Sequence, residues 1–254
     1  PQEFIELLLI QEDKFFYSHN GINLVSIFKA FNETYIKKSR RIGASTITMQ
    51  VAKLKYNLYT KNIGGKIKQI FLALYLELCF SKQDILDAYV NLAPCGKNIE
   101  GFESASWYYF GKSITELSLS ENIMLCVLPQ NPTKRSPQKF NTPIELINAR
   151  KVLFESWVQN HPEDEDKRIY MNMRINTLCE FPNEAIHFTQ MLSQNEKQIL
   201  NDEKKIRRVK KTTIDLELQK QCEEFLTSHI QKYNSFGVSN GGLLLLDWQT
   251  MEVV

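Results

Sequence analysis

The segment IFLALYLELCF, from Ile70 to Phe80, limits the fold more than any other stretch of this sequence. It is eleven residues of almost unbroken apolar character, interrupted by a single carboxylate, Glu77. A helix that crosses a bilayer takes about 20 such residues. The run therefore predicts a buried helix. Glu77 then needs a structural partner, a helix cap or a lysine, because an unpaired buried carboxylate is costly.

Helix-start signals surround that run. Ser81 stands three residues before Asp84, Ser118 three before Glu121, and Thr142 precedes Pro143 and Glu145. Each sets an N-cap oxygen one turn ahead of a carboxylate, and the last adds a proline at the first helical position. Glycine and proline breaks fall at Asn20-Gly21, at Gly64-Gly65, from Pro94 to Gly101, and through LPQNPTKRSPQKFNTP from Leu128 to Pro143. They divide the first ~155 residues into about six helices. The predicted fold is mainly α.

Composition removes several function classes. The chain has 254 residues, 43% of them hydrophobic, enough for one large core. A net charge of +2 does not signal nucleic acid. Five cysteines, odd in number and without a C-x-x-C pair, argue against a disulfide framework or a zinc site. Pro1 to Ile10 lack the basic start and cleavage site of a signal peptide, and the chain reads as cut from something longer.

From His161 the sequence turns polar, through HPEDEDKR to the basic run Lys204 to Lys211. No aromatic residues interleave with that run, so it reads as a solvated linker and not as a nucleic-acid patch. TTIDLELQKQCEEFLTSHIQKY then has a helical pattern, and GGLLLLDWQTMEVV reads as a strand, a turn and the start of a second strand. The expected division is 1–160 for the helical domain, 161–211 for the linker, and 212–254 for a small α+β fragment of a truncated second domain.

Chemistry concentrates in QEDKFFYSHNG, from Gln11 to Gly21. Phe15, Phe16 and Tyr17 can exclude water from Glu12 and, with Asp13 adjacent, raise its pKa toward the range of a general base. An isolated Glu-Asp pair is more often a solvated helix face. What changes the balance is three further segments in order: RIGASTITMQVAK (Arg41 to Lys53), Gly65 to Gly96, and GFESASWYYFGKS (Gly101 to Ser113).

Together the four segments resemble the peptidoglycan glycosyltransferase domain of class A penicillin-binding proteins, glycosyltransferase family 51. The pattern E-D-x-x-F-x-x-H-x-G appears as Glu12, Asp13, Phe16, His19 and Gly21, and G-x-S-T-x-x-x-Q as Gly43, Ser45, Thr46 and Gln50. The resemblance runs from about Phe4 to about Phe154, and TTIDLELQ with the Gly-Gly-Leu strand resembles the opening of the family's transpeptidase domain. Gly64 to Gln69 and NLAPCGKNIEGFESASW resemble the 1C-type branch of the family most. Where most members carry Arg-Lys-x-x-Glu, this chain has Gly65 and Gln69 in place of the arginine and glutamate.

The resemblance implies a lysozyme-like α fold and an inverting transfer. The growing glycan, held as its undecaprenyl pyrophosphate, would pass to the 4-hydroxyl of lipid II with Glu12 as general base. Ser45, Thr46, Gln50, Lys53, Lys66 and Gln69 would surround the diphosphate, with Asp13 and His19 in support. His19 reads as fixing the loop rather than moving protons, and Ser45 and Thr46 equally suit an N-cap. Magnesium is the family's usual cation, but Gln69 replaces its carboxylate partner, which leaves the metal ligands unassigned. Pyrophosphate departs without protonation, so a neutral Gln69 costs less here than in a glycosidase, which needs a carboxyl pair.

The implied partners are lipid II, the lipid-linked glycan, the membrane surface and other cell-wall synthesis proteins, without nucleic acid. The implied location is the outer face of the bacterial cytoplasmic membrane, with the full-length protein held by an N-terminal helix. KLKYNLYTKNIGG, Lys53 to Gly65, reads equally as a surface loop and as an interfacial segment. The rival functions are a scaffold of the same fold and a muramidase-like hydrolase. Look-alikes of a penicillin-reactive triplet at Ser26–Lys29, Ser120–Asn122 and Lys211–Thr213 are short and incomplete, and they do not indicate a second site.

Overall fold

The computed structural model describes residues 1–23, 45–60, 62–139, 141–177, 180–181, 185–186, 188–192 and 214–249. Gly43, the Ser26–Lys29 look-alike, the basic run Lys204–Lys211 and the last five residues lie outside them. Two compact units divide the chain, Pro1–Pro182 and Asn183–Val254.

In the first unit the described helices are α1 (Gln2–Glu12), α2 (Ile47–Lys55), α3 (Ile63–Cys79), α4 (Lys82–Leu92), α5 (Phe102–Phe110), α6 (Leu119–Val127), the single turn α7 (Pro132–Arg135) and α8 (Ile144–Val158). The mainly α expectation holds. α6 is the hydrophobic centre, with every residue from Asn122 to Val127 buried. Its large apolar side chains each contribute about 1.5–3 kcal/mol when fully buried. α1 packs on α6 and α8, while α2 packs on α3 and α4. The C-terminal end of α1 thus meets the α2 group, and the site forms where they join.

Two of the three start signals act as read. Asp84 accepts from the Ser81 backbone N–H at 3.0 Å while the Ser81 hydroxyl accepts from Asp84 N–H, and Glu121 accepts from the Ser118 N–H at 2.8 Å. The third start lies one residue later than expected. α8 begins at Ile144 with Pro143 as its N-cap, so Thr142 does not cap it.

The apolar run did not fold as a wholly buried helix. α3 buries Gln69, Ala73 and Leu76, but Phe71, Tyr75 and Leu78 are 68%, 53% and 87% exposed. Hydropathy counts apolar residues without saying how many faces of the helix have a neighbour. Among the described residues no helix is long and apolar enough to cross a membrane.

The first unit extends past the expected limit of 160. A 3-10 stretch, Pro162–Met171, packs on α8 with Met171 buried. The fully buried Arg150 donates to the carbonyls of Tyr170 and Met173 and to the Ser120 hydroxyl, at 2.8, 2.9 and 2.8 Å. One buried guanidinium thus satisfies two backbone carbonyls, those of Tyr170 and Met173.

In the second unit, α9 (Leu216–Tyr233) is N-capped by Asp215, which accepts from the N–H groups of Glu217 and Leu218. The expected turn is present at Asp247, whose carboxylate accepts from Gln249 N–H at 2.7 Å. Of the expected hairpin, Leu246 carries a β-bridge, and the start of the second strand, residues 251–254, lies outside the described residues.

Candidate active site

α1 ends at Glu12 because Asp13 leaves helical geometry, with φ −161° and ψ 77°. The buried Asp13 carboxylate accepts from Ile47 N–H, at the start of α2, at 3.0 Å. It also pairs with His19 Nε2 at 3.0 Å. A carboxylate at a helix N-terminus meets unpaired donors and the positive end of the helix dipole. Thr46 completes the joint: it caps α2 by accepting from Met49 N–H at 3.2 Å and donates its hydroxyl to the Gly21 carbonyl at 2.6 Å. Asp13, His19 and Thr46 therefore lock the exit of α1 against the entry of α2.

Gly21 and Glu77 tie this joint to α3. Gly21 sits at φ +83°, and a Cβ there would meet Glu77 Cγ at 2.9 Å and the Ala73 carbonyl oxygen at 3.0 Å. Glu77 accepts from the Thr48 hydroxyl at 2.6 Å and from Lys82 Nζ at 2.8 Å. Lys82 also lies over the Phe16 ring, 4.5 Å from its centroid. The partners Glu77 required are thus a threonine and a lysine.

Held by this frame, Glu12 faces α2. Gln50 Nε2 donates to Glu12 Oε2 at 2.8 Å, and the Tyr89 hydroxyl donates to Gln50 Oε1 at 3.3 Å. The other oxygen, Glu12 Oε1, is sealed from solvent without a hydrogen-bond partner among the described residues. Burial raises the Glu12 pKa above its ordinary 4.5, against the opposing influence of Gln50, Gln130 and Arg135. Asp13 adds least to the rise. The expected shield of aromatic neighbours is corrected here. Phe15 and Tyr17 are 57% and 59% exposed, and only Phe16 is buried, beneath Lys82.

Sequence reading missed Tyr89, Gln130 and Arg135. Tyr89 reads as ordinary core on an apolar helix face, and the other two lie in a proline-rich break with no motif. Burial and then the Glu12 charge push the Tyr89 pKa well up, so its hydroxyl remains a donor.

A second group gathers at the N-terminal part of α3. Lys66 Nζ donates to Ser45 Oγ at 2.7 Å and to Gln69 Oε1 at 2.9 Å, and Gln69 Nε2 donates to the Met49 carbonyl at 2.6 Å. Burial, and then the charge of Lys53, lower the Lys66 pKa. Gly65 has a local cause: a Cβ there would overlap the Tyr59 carbonyl, so no side chain fits. The structure thus joins Glu12 to Gln50, and Lys66 to Ser45, Gln69 and the charge of Lys53. Thr46 is not in the second group, because its hydroxyl is already committed.

Among the described residues, the surroundings of Gln69 do not fit a divalent cation. Magnesium favours carboxylate oxygens and water. Here the oxygen of Gln69 faces an ammonium and its nitrogen a carbonyl. No cluster of three acidic, histidine or cysteine residues occurs among the described residues.

Both groups are anchored on α2, Glu12 through the Gln50 side chain and Gln69 through the Met49 carbonyl. Residues 1–157 match the transglycosylase family, and the chain belongs to it. Within the class A penicillin-binding proteins, it is 36% identical to penicillin-binding protein 1C of Escherichia coli (strain K12) over 227 residues, 87% of this chain and 27% of the relative. It is 37% identical to penicillin-binding protein 1B of Buchnera aphidicola subsp. Baizongia pistaciae over 63% of this chain and 22% of that protein. With penicillin-binding protein 1A of Pseudomonas aeruginosa it shares 39% identity over 54% of this chain and 17% of the relative. The chain thus spans about a quarter or less of the length of these relatives. Of the three, the 1C relative matches well beyond the helical domain, in keeping with the 1C-type resemblance.

Proposed function

We propose that this chain is a peptidoglycan glycosyltransferase domain that polymerises lipid II. Glu12 removes the proton from the 4-hydroxyl of the acceptor sugar, and that oxygen bonds to the anomeric carbon of the donor. The bond from this carbon to undecaprenyl pyrophosphate breaks on the opposite face, so the configuration inverts. Lys66 and Lys53, with Ser45 and Gln69, steady the departing diphosphate, while Gln50 orients the base.

The observation that carries the proposal is the state of the Glu12 carboxylate. One oxygen is tethered by Gln50, the other is an acceptor without a partner among the described residues, and burial makes the group a stronger base. α2 contacts both groups: its Gln50 side chain holds the base on α1, and its Met49 carbonyl holds Gln69 on α3. For the hydrolase reading, the neighbouring carboxylate is Asp13, which is already committed to Ile47 N–H and His19.

The exposed stripe on α3 supports a membrane-facing surface. Ile63, Ile67, Phe71, Tyr75 and Leu78 lie exposed along it, and Lys55 stacks over the exposed Phe80 ring at 5.4 Å. Apolar and aromatic side chains flanked by lysines suit the interface of an anionic bilayer. We place the domain on the outer face of the bacterial cytoplasmic membrane, where a lipid-linked substrate is presented.

Incubation with labelled lipid II in lipid vesicles should give a ladder of glycan products, and Glu12→Gln should remove it. Absence of any ladder from folded, vesicle-bound protein would reject the polymerase reading. Gln69 in place of the family carboxylate would then favour a scaffold of the same fold.

A further inference from the structure

We propose, building on the glycosyltransferase reading, that the Lys66–Gln69–Ser45 group binds diphosphate without a divalent cation, with Gln69 as the positioning residue that aims the Lys66 ammonium. The hydrogen bonds fix the Gln69 amide in one orientation. Its nitrogen donates to the Met49 carbonyl at 2.6 Å, and its oxygen accepts from Lys66 at 2.9 Å. Flipping the amide would set oxygen against carbonyl oxygen and N–H against ammonium, both repulsive. The side chain is 2% exposed, so water cannot compensate for a flip.

Lys66 carries three donors, and Ser45 and Gln69 take two. The third has no partner among the described residues and is available to an anion. Neither Lys66 nor Lys53 has a carboxylate partner among the described residues, so two positive charges share the site with neutral ligands. Their mutual repulsion, together with burial, already disfavours the charged form of Lys66. A dianionic diphosphate relieves that repulsion, whereas a divalent cation would add positive charge where none of the described residues offers a carboxylate to hold it.

A glutamate at position 69 would reverse the logic. One of its oxygens would face the Met49 carbonyl, and the other would pair with Lys66 and neutralise the charge meant for the ligand. A cation would then be needed to restore it. Gln69 and a cation-free site therefore belong together.

The test uses the whole chain in two arms. In the first, binding of inorganic pyrophosphate is measured by calorimetry in EDTA and in excess magnesium. The wild type should bind in EDTA at least as tightly as in magnesium, and Lys66→Met should weaken binding by about tenfold, the loss of one charge-assisted contact. In the second, polymerisation of labelled lipid II is followed in the same two buffers. The wild-type rate should be the same in both, while Gln69→Glu, checked for folding by circular dichroism, should lose activity in EDTA and recover it with magnesium.

Wild-type binding or polymerisation that collapses in EDTA and returns with magnesium overturns the proposal and leaves the glycosyltransferase reading intact. Magnesium-independent pyrophosphate binding with no polymerisation in either buffer supports the site and rejects the reading. Failure of pyrophosphate to bind in either buffer also overturns the proposal.

Discussion

Replacing Glu12 by glutamine should make the protein inactive and more stable, and the two effects share one cause. Glu12 lies in a place that disfavours its charged form: burial raises its pKa, and Oε1 has no partner among the described residues. An unsatisfied buried polar atom costs about 1–3 kcal/mol, more when it is charged. Glutamine keeps the shape and can still accept from Gln50, but it removes the charge. It leaves an unpaired amide N–H in place of Oε1, so only part of the cost is recovered, about 1 kcal/mol. For a unit of this size that is a rise of about 2–4 °C in Tm.

The sign of the pH dependence follows from linkage. The folded state holds the Glu12 proton more tightly than the unfolded state, whose value lies near 4.5. The group therefore favours folding at low pH, and that contribution is lost as pH rises through the folded pKa. Thermal melts of both proteins should show the glutamine variant ahead at neutral pH, with the advantage closing as pH falls through the raised folded value toward 4.5 and no further change below that. In the lipid II assay the same variant should lose about 10²–10⁴ in rate, the contribution of a positioned general base. A variant less stable than wild type at neutral pH, or an advantage that does not change with pH, would show that Glu12 is not a buried ionised carboxylate.

Tyr89→Phe should keep the core intact but free the Gln50 amide to turn its oxygen toward Glu12, so the acid limb of the pH–rate profile should move to higher pH; an unchanged limb refutes the orienting role. Gly21→Ala should destabilise the protein by about 1–3 kcal/mol in urea unfolding, because the new Cβ meets Glu77 and the Ala73 carbonyl at a left-handed φ; a neutral result would mean that this joint yields freely. Phe71→Ser combined with Leu78→Ser should leave Tm unchanged and lower binding to anionic vesicles by about a hundredfold or more, given about 1.5–3 kcal/mol for each side chain buried. Equal sedimentation of variant and wild type with the vesicles would exclude the α3 stripe as the contact.

What could be read from the sequence was what neighbouring residues decide among themselves. The capping boxes at Ser81 and Ser118 close within one turn, so their chemistry is local. Thr142 failed because Pro143 took the capping position. Glu12 and Gln50, 38 positions apart, were brought together only by the family pattern, while Arg135 and Tyr89 have no local pattern and meet Glu12 through the packing of separate elements. The aromatic shield was wrongly assigned for the same reason: adjacency in the chain placed Phe15 and Tyr17 beside the acid, and a 3-10 turn sent them outward.

The apolar run shows the deeper limit. Its composition fixed a helix but not the number of covered faces. Gln69, Ala73 and Leu76 share one face of α3 with Lys66, and Phe71, Tyr75 and Leu78 lie about half a turn away around the axis. A core helix needs no such second apolar face, whereas a helix between a diphosphate site and a lipid surface does. A bilayer resting on the outer stripe would lie about 10 Å from the Lys66 face, one helix diameter. One helix can then serve both ends of a lipid-linked sugar, its cationic side meeting the phosphates and its apolar side the membrane that carries the chain.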